Sequence, residues 1–132
     1  MNRYGAAAVV VDARGRVLLV RELHPDHQPW VPPGGGIERG ETPREAAVRE
    51  VREEAGVSAD LHDLVGIYVF ADRSLWFVFA GTPIDEVFGV EAGDEIVDVG
   101  WFDPSNLPAD CPDRAAAIVS DAIANRRGLY IE

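Results

Sequence analysis

Apolar residues in this chain come in short runs broken by glycine, proline and acids, and the period of the runs changes along the sequence. Residues 6–12 (AAAVVVD) and 16–21 (RVLLVR) flank a turn at 12–15 and predict a β-hairpin. Trp30 and Val31 lead into PPGGG, which reads as a tight glycine turn. After it the period switches to 3.6. Ala47, Val48, Val51 and Ala55 form one apolar stripe, which predicts a helix that docks through small side chains. Residues 64–70 (LVGIYVF) and 75–80 (LWFVFA) are rich in aromatic and β-branched residues and predict a second hairpin or paired strands. An acidic, glycine-punctuated connection covers 81–95, followed by a strand at 96–102 and a turn at 103–108. Residues 112–126 predict a C-terminal helix with Pro112 near its start and Gly128 beyond its end. Its apolar face is Ala115, Ile118, Val119, Ala122 and Ile123. Strands and helices in this order predict an α/β protein.

The first helix is the best specified element. Thr42 is placed as N-cap, Pro43 as the first helical residue, Glu45 to close a capping box and Gly56 as the terminating glycine. Its charge runs against stability. Glu50, Glu53 and Glu54 share one sector of the helix, at the negative end of its dipole. Glu50 and Glu54 are also a like-charge i,i+4 pair, a spacing that disfavours the helix by about 0.2–0.5 kcal/mol. Selection for stability alone would place lysines there. A divalent cation held by carboxylate oxygens is the simplest compensation, and Mg²⁺ or Mn²⁺ suits such ligands. Arg49 is four residues from both Glu45 and Glu53 and can orient a carboxylate. A merely solvated, well-capped helix would explain neither the misplaced acids nor the glycines before them.

Gly35, Glu41, Arg49, Glu50, Val51, Glu53, Glu54, Gly56 and Val57 fit the pattern G-x5-E-x7-R-E-U-x-E-E-x-G-U, where U is a bulky aliphatic residue. At all nine positions the chain resembles the Nudix hydrolase family. The resemblance implies a Nudix fold, an α/β/α sandwich around a mixed β-sheet, spanning residues 1–132 as a single domain. It also implies hydrolysis of a pyrophosphate linkage in a nucleoside diphosphate joined to another group. The implied metal ligands are Glu50, Glu53 and Glu54, with a backbone carbonyl from Gly34. Arg49 orients them, Glu41 braces the loop or meets a metal through water, and Arg21, Gly35 and Gly36 face the substrate. The general base is Glu50, Glu53 or Glu95. Glu95 represents the further glutamate that this family commonly supplies from the later connection, with Glu91 as second choice. Pro32 stands where the family commonly has leucine, a departure that touches strand pairing and not a ligand.

Composition narrows the partners. The chain has 132 residues, 47% hydrophobic and 27% charged, with a net charge of −11. That charge argues against a nucleic-acid polymer as partner, since such affinity rests on basic patches. A small phosphorylated ligand is compatible with it when metal ions bridge the like charges. No apolar run approaches the roughly 20 residues needed to span a bilayer, so no membrane partner is expected. The single cysteine, Cys111, fits an inert thiol in a reducing, cytoplasmic setting. A homodimer is carried as a further expectation.

Several features have bland readings of equal or greater weight. Arg21 serves a phosphate or simply ends its strand. His24 and His27, in HPDH, read better as exposed loop histidines than as a metal pair, because nothing in a proline-rich loop pre-organises them. Tyr68, Phe70, Trp76, Phe77 and Phe79 read mostly as core, with one of them open to line a nucleobase pocket. Among substrates, nucleoside triphosphates, oxidised ones included, lead. The proline typical of ADP-ribose-specific members is absent where Ala71, Asp72 and Arg73 stand, and so is the tyrosine typical of diadenosine-polyphosphate hydrolases. Two other function classes compete. A nucleotide-sensing module of the same fold would tend to lose acids of the motif, and a structural module would lack Mg²⁺-dependent pyrophosphatase activity.

Overall fold

A computed structural model describes residues 3–86 and 95–132, Glu86 through its backbone only. The elements run β1 (Tyr4–Val10), β2 (Val17–Glu22), β3 (Trp30–Val31), β4 (Gly34–Gly36), α1 (Pro43–Ala55), β5 (Val57–Val69), β6 (Leu75–Glu86), β7 (Ile96–Phe102), α2 (Asp113–Ile123) and β8 (Leu129–Ile131). They form a mixed five-stranded sheet in the order β4-β1-β6-β5-β8 and an antiparallel three-stranded sheet in the order β3-β2-β7.

β1 explains how the layers stack. Ala6, Ala8 and Val10 face α1, where they pack with Ala46, Ala47 and Val51. Ala7 and Val9 face the other way and pack with Ile118, Val119 and Ala122 of α2. A strand covered on both faces reads as a continuous apolar run, which is what AAAVVV is. The result is an α/β/α sandwich around a mixed sheet, the architecture that the resemblance implies.

Four expectations are corrected. β1 and β2 are not a hairpin. The turn forms, with Gly15 N–H donating to Asp12 O at 3.0 Å, but the strands meet only at one bridge, Val11 to Val17, and then part into different sheets. β1 instead pairs parallel with β6 and antiparallel with β4. Gly34–Gly36 is therefore a short strand and not a turn. β6 continues through GTPIDE, which reads as a connection, because Val57 to Leu61 of β5 pair with it. Val48 and Ile123, placed on apolar faces by periodicity, are exposed. β8 was not anticipated; it extends the sheet beside β5.

Candidate functional site

α1 is built as its sequence specifies. Thr42 Oγ1 accepts from Glu45 N–H at 3.1 Å and Glu45 Oε1 accepts from Thr42 N–H at 2.9 Å, closing the box. Gly56 ends the helix in the left-handed region at φ 67°. The two ends fix the rotation of α1. Its buried face, Ala46, Ala47 and Val51, lies on β1, so the glutamates lie along the edge next to β4.

β4 approaches them closely because it has no side chains. A Cβ on Gly35 would sit 2.6 Å from Glu50 Cδ, and one on Gly34 would meet Ala7 Cβ at 2.6 Å. None of the three glycines of β4 has positive φ. They are required for close approach, not for turning.

Arg49 gathers most of the motif. Its guanidinium donates to both oxygens of Glu41, at 2.7 and 3.0 Å, and to Gly36 O at 3.0 Å. Nη1 donates to Glu50 Oε1 at 2.6 Å and to Glu53 Oε2 at 3.1 Å. Such charge-assisted, two-pronged pairing fixes orientation as well as position. Glu41 in turn accepts from Glu38 N–H at 2.9 Å, so it braces the loop before the helix. Glu45 is occupied by its cap and does not reach Arg49. The Glu41 hydrogen bond raises the Arg49 pKa above its ordinary value, and the same bond lowers that of Glu41.

Glu54 stands apart from this cluster. Its Oε1 accepts from Gly34 N–H at 2.9 Å, and no cation pairs with it among the described residues. Burial pushes its pKa up to about 8, and the charges of Glu50, Glu22 and Glu95 add to the rise. Burial also raises Glu50, with Arg49 pulling the other way. Two desolvated acids thus lie one helical turn apart, and of the two only Glu50 has a cationic partner among the described residues.

A cavity of about 270 Å³ opens here, lined by Glu22, Leu23, His24, Glu54, Glu95 and Ile96. The structure therefore brings Glu95 to the side of Glu54. It sits at the start of β7, fixed by Leu23 N–H donating to Glu95 O at 2.8 Å. Glu91 lies outside the described residues. Sequence reasoning missed Glu22 and discounted His24, whose ring pairs with Glu22 Oε1 at 3.0 Å. Period-2 alternation along β2 puts Glu22 on the same face as Leu18, which packs against α1, and that was the available signal.

Arg21 is directed elsewhere. It donates to Gln28 O at 3.0 Å and Asp110 Oδ2 at 2.9 Å, and lines an open cavity formed by its loop and residues 109–112. His27 lies in the same loop, its ring stacked on that of His24 at 4.8 Å. Phe70 and Trp76 line a third cavity, of about 200 Å³, which Gly34 and Glu22 also line. Tyr68 and Phe79 belong to the core.

Among the described residues, no three His, Cys, Asp or Glu side chains converge as ligands, since Glu50 and Glu53 turn toward Arg49. The donor set nevertheless suits a hard divalent cation, being all oxygen and including a partly buried carboxylate with no counter-charge.

A family model described as the NUDIX domain matches residues 1–122. An ADP-ribose pyrophosphatase from Methanocaldococcus jannaschii is 36% identical over 103 residues, covering 75% of this chain and 61% of that relative. A putative 8-oxo-dGTP diphosphatase from Bacillus subtilis is 34% identical over 114 residues, 82% of this chain and 71% of the relative. The fold superimposes on a NUDIX hydrolase from Nitrosomonas europaea with a TM-score of 0.84 and 25% identity, over 97% of this chain and 93% of the other.

Proposed function

From the premise that the chain belongs to the NUDIX domain family, we propose that it is a metal-dependent pyrophosphohydrolase acting on nucleoside diphosphates linked to another group, nucleoside triphosphates first among them. Glu54 carries this reading: a carboxyl group desolvated beside Glu50, Glu22 and Glu95 and, among the described residues, without a paired cation. The names of the two relatives, one for ADP-ribose and one for 8-oxo-dGTP, support hydrolysis of a phosphoanhydride next to a nucleoside.

Glu50, Glu53 and Glu54 would hold Mg²⁺ or Mn²⁺, with the Gly34 backbone as a further candidate ligand. A divalent ion supplies positive charge against the negative charge that develops on phosphoryl oxygens. Arg49 holds Glu50 and Glu53 in place, and Glu41 holds Arg49. Glu95 lines the cavity beside Glu54 and takes the proton of the attacking water. Glu50 and Glu53 are less suited to that task because Arg49 occupies an oxygen of each. Backbone N–H groups around Gly35 and Gly36 face the phosphates, while Arg21, bonded to Gln28 and Asp110, stays on the neighbouring open cavity. The free thiol of Cys111 suits a reducing, cytoplasmic setting.

Release of phosphate and pyrophosphate from a panel of nucleotides, with Mg²⁺ and Mn²⁺, tests the reading. Glu95→Gln is expected to lower kcat by about 10²–10⁴-fold, the usual contribution of a general base, while leaving Mn²⁺ binding intact. Glu54→Gln is expected to weaken Mn²⁺ binding. Wild-type turnover in both Glu53→Gln and Glu54→Gln would overturn the ligand assignment.

A further inference from the structure

The cavity of about 200 Å³ beside the acids has a chemistry of its own. Its walls include Phe70, Trp76, Val31 and Ile118, with Arg114 and Glu22 as the charged residues. It is smaller than the roughly 300–1,000 Å³ that encloses a whole drug-sized ligand, and so suits a single ring system. Phe70 and Trp76 are stacked on each other, 5.6 Å apart at 21°. Gly5 permits this, since a Cβ there would lie 2.6 Å from the Trp76 ring.

Glu22, the charged acceptor of the walls, is paired with His24 at 3.0 Å, and several of the donors are spent. Trp76 Nε1–H is spent on Ser74 Oγ at 3.0 Å, and Gly34 N–H on Glu54. Pro32 and Pro112 have no N–H to give. Arg114 remains. Its guanidinium lies over the Phe70 ring at 5.4 Å and donates from Nη2 to Val69 O at 2.9 Å, leaving further N–H donors of its five. A ring entering along the aromatic wall therefore meets a donor fork, which pairs with acceptor edges such as guanine O6 and N7. At the same edge adenine presents its N6 amino group, a donor, beside N7.

Building on the reading above, we propose that this cavity seats the base of the substrate and that Arg114 selects guanine, whose O6 and N7 accept side by side, over adenine. Gly34 links the two sites: it lines the cavity and its N–H holds Glu54, so a base seated here directs its phosphates toward the acids.

Hydrolysis of GTP and ATP with Mg²⁺ tests the assignment. A well-made two-pronged contact discriminates by about 1–3 kcal/mol, so kcat/KM for GTP is expected to exceed that for ATP by roughly 5- to 150-fold. Arg114→Lys keeps the charge and loses the fork. It is expected to bring the two substrates within about threefold of one another, by loss on GTP, with an unchanged melting temperature. A second readout avoids hydrolysis: tryptophan fluorescence should report tighter binding of GMP than of AMP without metal, and Arg114→Lys should remove the difference. The same pair of ligands reports on Arg114→Gln should the lysine variant fold poorly. Equal turnover of GTP and ATP, or a preference that survives in Arg114→Lys, overturns this assignment and leaves the pyrophosphohydrolase reading standing. Selective GMP binding with no hydrolysis of any nucleotide does the reverse.

Discussion

Glu54 shows how a single side chain ties stability to chemistry. Burial raises its folded-state pKa from 4.5 to about 8. Between those values the folded protein retains a proton that the unfolded chain has lost, so stability falls as pH rises through that window. With metal removed by chelator, the melting temperature is expected to drop steadily from pH 5 to pH 8. Glu54→Gln, neutral at every pH, should flatten that slope. A melting temperature independent of pH in the wild-type protein would mean that the carboxylate is ionised throughout and already compensated. Gly35 makes the complementary point about space. A Cβ there would lie 2.6–2.8 Å from the Glu50 carboxylate. Gly35→Ala must displace Glu50 or β4, and overpacking of this kind disfavours the fold by about 1–3 kcal/mol. Because Glu50 also holds Arg49, kcat is expected to fall by an order of magnitude or more in protein that still folds, as read by circular dichroism beside the activity assay.

At the scale of elements, α1 is the device that aims the acids, and its N-terminus sets its rotation. Thr42→Ala removes one arm of the capping box and is expected to lower the unfolding free energy by about 0.5–2 kcal/mol in urea titrations. It should leave kcat within a few-fold, since the last two turns are held independently by Arg49 and Gly34. That helix was legible in the sequence because its signals are local: Thr42, Pro43, Glu45 and Gly56 each act within four residues. Strand partners are not local. Nothing in AAAVVV says that Ala6 lies between Phe77 and Gly35 and not opposite a residue of β2. GTPIDE reads as a connection because glycine, proline and acids are poor strand formers, yet it is drawn into β6 by pairing with β5. Pro83 is tolerated there because β1 stops pairing at Gly81, which leaves the proline on an open edge. The same limit governed the site. Arg49 and the motif glutamates fall within one turn-and-helix and were found. Glu22, His24 and Arg114 reach their cavities only through tertiary packing, from β2, the loop after it and α2.

For the whole molecule, the site lies where several elements meet: β4 and α1 supply the motif, β2 ends in Glu22, and β7 begins just after Glu95. A chain with a net charge of −11 gathers acids from distant segments into one cavity, so assembling it is opposed by like-charge repulsion as well as by desolvation. An ion that binds only the folded arrangement relieves both and stabilises by RT ln(1 + [L]/Kd). At a hundred times Kd this is about 2.7 kcal/mol, or roughly 5–15 °C in melting temperature for a domain of this size. Mn²⁺ or Mg²⁺ is therefore expected to raise the melting temperature in proportion to its logarithmic concentration. The sign with pH should invert relative to the metal-free protein. Protons compete for Glu54 below about pH 8, so the stabilisation by metal grows as pH rises, just where the metal-free protein weakens. Sodium at matched ionic strength screens the repulsion without occupying the cavity and should give only a small shift. Thermal melts across pH 5–8.5 with chelator, Mn²⁺ or NaCl separate these cases. A rise that NaCl reproduces in full would show that the acids feel only the general field of the protein and not a bound ion.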